Sequence, residues 1–202
     1  MNEKFKATLK LLDKWESHGR KKLSNGAIQI CNVPSIAPEA WLHEIFPPLN
    51  DEQINELQKK VKLQLPNDYI ELLKYCNGIN LFFGSLCVRG LRSQMNYRSG
   101  DLAVQPYALE QDQIYLTTKN TSFICVGSYG YDVSHITFDL DEGIDNNKVY
   151  RCERRKPVIL NEWPDLWTCL YDEVQRLSNH FDDKGVRLDK SIPTIPESQV
   201  IK

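Results

Sequence analysis

The segment Val126-Gly127-Ser128-Tyr129-Gly130 is the first place where the chain could carry a reactive serine. A nucleophile elbow needs a glycine two residues to either side of the serine, but Val126 occupies the upstream position and only Gly130 stands downstream. A phosphate-binding loop needs more glycines and a Lys-Ser or Lys-Thr pair, which this segment lacks. We therefore interpret these residues as the end of a strand and the turn that follows it.

Cys125 and His135 are the second chemical possibility, because a thiol next to an imidazole can act as a nucleophile. Their positions in the sequence do not place the two side chains together, and no third group that would orient the imidazole stands out. We expect a structural pair and no catalytic residues. The remaining histidines, His18, His43 and His180, lack metal-ligand spacing, and there is no Cys-x-x-Cys pair, so we expect neither a metal nor a cofactor.

The six cysteines are widely spaced, and the N-terminus has no apolar run of the kind found in secretory signals. Most of them stand among apolar residues, where a free cysteine behaves as a small buried hydrophobe. We therefore predict reduced core thiols in a cytoplasmic protein.

Carboxylates cluster around a glycine-containing turn that follows a predicted strand. The cluster resembles a calcium loop only superficially, because the glycine is the third residue counted from Asp141 rather than the sixth, and the closing glutamate is missing. Two interpretations remain. The cluster is a solvated hairpin turn, or it belongs to an acidic face that mimics phosphate and occupies the groove of a nuclease.

Two tyrosines on the preceding turn are attractive interface anchors, since tyrosine offers a large contact area at low entropic cost. A packed loop is the equal alternative for them. The residues that we predict to contact a partner are Tyr129, Tyr131, Asp132, Asp139, Asp141, Glu142 and Asp145.

Charge is unevenly distributed over the 202 residues, which carry 25 basic and 27 acidic side chains. Residues 1–30 have a net charge of +4, so residues 31–202 have a net charge of −6. A domain of that sign is not expected to bind nucleic acid directly, but it suits a basic protein partner. Ordinary solubility charge is the alternative. The hydrophobic content of 41% excludes whole-chain disorder, and no apolar run is long enough to span a membrane.

Helical signals dominate the first third of the chain. Apolar residues at helical spacing predict an amphipathic helix over 3–16, and Ala27–Val33 favours a short strand. Asn50 and Gln53 form a capping-box pattern that predicts a helix over Asp51–Val61. Leu65-Pro66 then separates this helix from a second one, because proline suits the first turn of a helix. The second helix is expected to end at Asn77-Gly78, where a left-handed cap belongs.

Strand signals follow Gly78 and predict an antiparallel meander. The apolar runs lie at 81–83, 85–91, 123–127, 134–140 and 148–152, with a long insertion at 92–120 in which one helical turn is expected within the polar residues 92–113. A last helix is expected to open near Asn161, with Trp163 leading an apolar stripe that ends at Phe181. Residues 182–202 are expected to form a loosely held tail.

The order of these signals resembles the SUKH superfamily, which includes the fungal Smi/Knr cell-wall regulators. The resemblance rests on Leu65-Pro66-Asn67-Asp68-Tyr69, Leu72-Leu73, Asn77-Gly78, Phe138-Asp139, Val149-Tyr150 and Trp163. It implies an α+β fold in which helices cover a mainly antiparallel sheet. It also divides the chain into an N-terminal extension at 1–45, a SUKH-like domain at 46–181 and the tail at 182–202.

For bacterial members, the resemblance implies an immunity protein that binds and neutralises a cognate polymorphic toxin, often a nuclease. We therefore expect stoichiometric binding of a toxin protein and no enzymatic activity, with neither nucleic acid nor membrane as a direct partner. A Smi/Knr-type regulatory or scaffold protein is the alternative. A small-molecule enzyme is the third hypothesis, and a deep pocket with convergent polar groups would favour it.

Overall fold

The structure, a computed structural model, describes residues 2–93, 100–111, 123–141, 143, 147–154 and 158–199. The α-helices that lie entirely within the described residues are α1 (Glu3–Leu12), α2 (Asp51–Val61), α3 (Asn67–Tyr75) and α4 (Leu166–Ser178). The strands are β1 (Arg20–Lys22), β2 (Ile28–Asn32), β3 (Trp41–Ile45), β4 (Ile79–Leu81), β5 (Leu86–Val88), β6 (Phe123–Tyr129), β7 (His135–Asp139), β8 (Val149–Cys152) and β9 (Ile159–Trp163). Short 3₁₀ turns cover Asp13–His18 and Asp101–Ala103.

The nine strands form one antiparallel sheet in which each strand pairs with its neighbours in the sequence, from β1 to β9. Helices pack against it, with α1 and α3 both in contact with α4. The predicted α+β architecture with an N-terminal helix is therefore confirmed. Among the residues that the structure describes, no helix combines the length and the apolar character needed to cross a membrane.

The predicted helix pair is present with the expected start signals. The side chain of Asn50 accepts a hydrogen bond from the Gln53 backbone N–H at 2.9 Å, and the Gln53 side chain accepts one from the Asn50 N–H at 3.0 Å. The helix α3 follows Pro66 and ends at Tyr75, with an extended cap residue, Cys76. Gly78 has φ of +89° as expected, but it leads into β4 instead of capping the helix.

The last helix begins later than predicted. Trp163 ends β9, and α4 starts at Leu166, after Asp165 has capped it by accepting a hydrogen bond from the Thr168 N–H at 2.6 Å. The residue before a proline is pushed towards extended backbone, so Pro164 keeps Trp163 out of the helix. Trp163 is nevertheless buried as expected, at 8% exposure.

The N-terminal extension is part of the same sheet. It supplies β1, β2 and β3, and His43 of β3 lies opposite Leu81 of β4. Trp15 is fully buried, and its indole N–H donates to the carbonyl oxygen of Asp182 at 2.8 Å. The ring of Trp15 also lies 5.5 Å from that of Phe82. Residues 2–45 therefore share a core with the residues that follow, instead of forming an appendage.

Contrary to the expectation of a loose tail, the described residues 182–199 are held against the fold. Arg151, which is 1% exposed, donates to the carbonyl oxygen of Pro196 at 2.8 Å. The side chain of Asn161 donates to the carbonyl oxygen of Glu197 at 2.8 Å, and the Gln199 N–H donates to that of Leu160 at the same distance. The tail is therefore bound by buried polar side chains of the sheet.

Candidate functional site

Cys125 and His135 are brought together by the sheet. A register shift between Cys125 and Gly127 sets the Cys125 sulfur 3.3 Å from Nδ1 of His135, and a further contact joins the sulfur to the Gly127 carbonyl oxygen at 3.2 Å. The cysteine is 0% exposed and the histidine 2% exposed. A nucleophile must reach its substrate, so this burial favours the structural interpretation of the pair.

Ser128 lies in a row of polar residues that crosses the sheet. The strand registers set Asn80, Cys87, Ser128, His135 and Cys152 opposite one another in succession. The Ser128 hydroxyl lies 3.1 Å from the Cys87 sulfur, and it is 7% exposed. The serine thus belongs to a buried hydrogen-bonded row, which agrees with its interpretation as part of a strand rather than a nucleophile.

The cysteines that the sequence assigns to the core are buried and free of disulfides. Burial raises the pKa of Cys31 to about 11 and that of Cys76 to about 12. These two thiols are therefore protonated at neutral pH and behave as packing groups. Within the described part of the chain, no group of three or more potential ligand side chains could hold a metal ion.

Tyr129 requires a correction, because it lies in the core at 0% exposure and cannot present a contact surface. Its ring lies 5.4 Å from the Arg151 guanidinium. Burial, reinforced by the nearby Glu173 carboxylate, raises the pKa of its hydroxyl well above the ordinary value. Side chains alternate between the two faces of a strand, and this residue points to the face that the helices cover. Tyr129 is therefore a packed core residue at the end of β6.

Asp132 has a structural function that the sequence did not indicate. Its carboxylate pairs with Arg151 at 2.6 Å and accepts hydrogen bonds from the Ser134 N–H and hydroxyl at 2.9 and 2.7 Å. Burial alone would raise the pKa of Asp132, but the hydrogen bonds from Ser134 and Arg151 outweigh it and lower the pKa. Asp132 therefore neutralises a buried guanidinium.

Tyr131 is exposed at 56%, and two further apolar side chains accompany it. Val133 follows on the same turn at 37% exposure, and Phe83 on the β4–β5 turn is 38% exposed. The two turns are joined, since the Gly130 N–H donates to the Ser85 carbonyl oxygen at 3.2 Å. We call Phe83, Tyr131 and Val133 the turn patch.

The close approach of these turns depends on a glycine. A Cβ atom at Gly130 would lie 2.3 Å from the Gly84 carbonyl oxygen, which no side chain could tolerate without backbone movement. The sequence predicted only Tyr131 of the turn patch. The glycines at 84 and 130 marked the two turns, but nothing local indicated that they meet.

The predicted acidic residues lie away from the turn patch. Asp139 is half-buried at the end of β7, and its carboxylate accepts a hydrogen bond from the N–H of the exposed Asp141 at 3.0 Å. Glu142 and Asp145 lie outside the described residues. Tyr131 precedes the other end of β7, whose five residues span roughly 15 Å at about 3.3 Å per residue. The structure therefore separates Asp139 and Asp141, which are the described acidic residues of the predicted acidic hairpin (residues 139–145), from the turn patch.

A cleft of about 550 Å³ lies at the β1 edge of the sheet, and the sequence did not predict it. One wall is the 3₁₀ turn Asp101–Ala103, whose Asp101 carboxylate accepts a hydrogen bond from the Ser24 N–H at 2.9 Å. We call this feature the edge cleft. Its lining residues are Lys21, Leu23, Gln29, Asn32, Pro38, Glu39, Trp41, Glu44, Gly100, Asp101 and Val104.

The helix pair before β4, the antiparallel meander and the closing helix α4 are the features on which the resemblance to SUKH proteins rested. A family model, that of the SMI1 / KNR4 family (SUKH-1), matches residues 48–183. The chain belongs to this family. The matched residues make up about two thirds of the chain and begin after β3, so β1, β2 and β3 precede the family region. No curated protein matches the chain.

Proposed function

We propose that this SUKH-family protein is an immunity protein, which binds a cognate intracellular polymorphic toxin one to one in the cytoplasm and blocks its active surface. The general domain is that of the SMI1 / KNR4 family (SUKH-1), whose members are generally non-enzymatic. The proposed activity therefore depends on a surface that fits another protein rather than on a reactive centre.

The turn patch is the observation that carries this proposal. Phe83 and Val133 have φ of +55° and +59°, in the left-handed region that side chains other than glycine rarely adopt. Each such residue costs about 1–2 kcal/mol, yet both side chains remain more than one-third exposed. Strain of this kind is typical of functional sites. Exposed apolar groups on a strained, joined pair of turns are therefore best explained by contact with a partner.

The charge of the chain supports a basic toxin. Residues 31–202 carry a net charge of −6, and the exposed Asp141 lies at the acidic hairpin. Nucleases bind phosphate through basic grooves, and opposite fields accelerate the encounter of two proteins. A nuclease is accordingly the toxin class that we propose.

Co-expression with the toxin gene adjacent to this one tests the proposal. The full chain should restore growth and copurify with the toxin in equal amounts. Tyr131→Ala should weaken the complex by roughly tenfold or more, as expected for an aromatic anchor. Ile36→Ala, which truncates another exposed apolar side chain at 57% exposure, is the matched control and should bind like the wild type. Absence of both rescue and copurification would refute the proposal.

The second candidate is a Smi/Knr-type regulatory or scaffold protein, and the family match itself favours it, because the matching model carries that name. Affinity purification separates the two candidates. A scaffold should retain several endogenous proteins without a toxin present, whereas an immunity protein should retain one toxin that is toxic when expressed alone.

A further inference from the structure

Glu44 has an arrangement of hydrogen bonds that differs from those of other surface carboxylates in the described chain. Its Oε1 accepts from the Gln29 side-chain amide at 3.0 Å, and its Oε2 accepts from the Asn80 side-chain amide at 3.1 Å. The strand registers set Gln29 and Asn80 directly opposite Glu44 on β2 and β4. Two amide donors on rigid strands therefore hold the carboxylate in one orientation at the edge cleft.

Negative charge in the edge cleft exceeds positive charge. Glu39, Glu44 and Asp101 are its carboxylates, whereas Lys21 is its one basic residue. The Lys21 ammonium already lies 3.8 Å from Asp101. Among the described residues, no lysine or arginine forms an ion pair with Glu44, and the partners of its carboxylate are the two side-chain amides.

Gln29 adds an acceptor that points to a ligand. The residue is only 6% exposed and lines the cleft, and its amide nitrogen is used by Glu44. Its amide oxygen accepts no hydrogen bond from the residues that the structure describes. This oxygen is not fully buried, so a donor from outside the fold can reach it. The half-buried indole of Trp41 lines the same cleft.

We propose that the edge cleft binds an arginine side chain of a partner protein. The planar guanidinium presents several N–H donors in a fixed fork, which suits a carboxylate whose two oxygens are held in place and a neighbouring amide oxygen. Its face also stacks on indole rings. Lysine offers a single compact charge without the fork, so it is the weaker ligand. The identity of the partner as the toxin rests on the proposed function.

The position of the edge cleft favours recognition of one particular partner. The strands that carry Gln29, Trp41 and Glu44 precede the residues 48–183 that match the family. The opposite wall is fixed to the β1–β2 hairpin, since the Asn25 side chain donates to the carbonyl oxygens of Asp101 and Val104 at 3.0 and 2.8 Å. The cleft is thus preformed, with one wall from strands that precede the family region and the other, residues 100–104, from within it.

The probe is the tripeptide Gly-Arg-Gly, titrated into the ¹⁵N-labelled full chain up to about 20 mM, which covers millimolar binding. We expect shifts of the Trp41 indole and Gln29 amide signals. The isosteric citrulline peptide should bind at least tenfold more weakly, because it lacks the charge, and the lysine peptide should be weaker than arginine. Equal binding of arginine and citrulline, or shifts confined to other regions, would overturn the proposal.

The variant Glu44→Gln should weaken arginine binding by at least fivefold, whereas Glu52→Gln, an exposed carboxylate on α2, is the matched control and should not. Thermal unfolding of both variants confirms that the fold is retained. Unchanged binding by Glu44→Gln would contradict the assignment of the carboxylate.

The results also separate the two proposals. If arginine binds as expected and the adjacent toxin is neither bound nor neutralised, the proposed immunity function is contradicted and the proposed arginine site is retained. If rescue succeeds without arginine binding, the cleft proposal fails.

Discussion

Arg151 shows how one buried charge can organise distant parts of a chain. Its guanidinium donates to Ser134, Asn161, the carbonyl oxygen of Pro196 and the carboxylate of Asp132, at 2.6–3.0 Å. A turn, two strands and the C-terminal tail therefore converge on one side chain that is 1% exposed. Nothing in the sequence distinguishes this arginine from the charged residues that follow it.

Replacement of this arginine should be costly. Arg151→Met removes the cation but leaves the carboxylate of Asp132 and the amide of Asn161 without their partner. We expect a loss of about 3–5 kcal/mol in the free energy of unfolding, as found when one member of a buried ion pair is removed. Urea unfolding measures the loss. Arg154→Met, at an exposed position, is the control, and equal stability of the two variants would contradict this account.

The same pair predicts a dependence of stability on pH. The pKa of Asp132 is lower in the folded protein than in the unfolded chain, where it is about 3.9. The ionised carboxylate therefore stabilises the fold fully above that value, and the contribution is lost as the pH falls through the lower folded pKa. Unfolding at a series of pH values should show this loss in acid. Asp132→Asn should show a smaller loss, and an identical pH profile would exclude the pair as its source.

At the level of secondary-structure elements, the sequence predicted a helix correctly where all residues of the signal lie close together in the chain. The capping box of Asn50 and Gln53 involves residues three apart, so it could be predicted and was confirmed. By contrast, β1 consists of Arg20, Lys21 and Lys22, which are all exposed and show no alternation. That strand exists because β2 offers a partner. The strand β3, which lies between Pro38 and Pro47, was likewise not predicted.

The helical spacing of apolar residues extended one turn too far, which is why Trp163 was assigned to the last helix. Its burial at the end of β9 still predicts a large contribution to stability. Trp163→Ala should lower the free energy of unfolding by about 3–5 kcal/mol. Thermal or urea unfolding measures the change, with Val158→Ala at 46% exposure as the control. A nearly unchanged melting temperature would contradict the burial of Trp163 at the end of β9.

At the level of the complete fold, the surface has three separate regions with different physical character. The turn patch is apolar and strained, Asp139 and Asp141 of the acidic hairpin lie at the other end of β7, and the edge cleft lies beside β1. A partner that covers the turn patch uses hydrophobic contact for affinity, whereas the acidic hairpin acts at a distance by steering.

Charge reversal at the acidic hairpin tests the steering. Asp141→Lys combined with Glu142→Lys and Asp145→Lys should slow association with a basic toxin by roughly tenfold at low salt, and the difference should shrink as salt screens it. Asp139 is kept, because its carboxylate accepts the Asp141 N–H and supports the turn. Stopped-flow binding measures the rates, and thermal unfolding should be unchanged. Equal rates at low salt would show that this face is irrelevant.

The amino-acid sequence was sufficient for the helix pair, most of the meander and the family, because capping, proline and alternation signals act between neighbouring residues. It was insufficient for the burial of Tyr129, the contact of Cys125 with His135 and the hydrogen bond that joins the turns carrying Phe83 and Val133. Those features depend on strand register and on which turns lie side by side. Register is set by packing between segments that are far apart in the chain, and no local pattern encodes it.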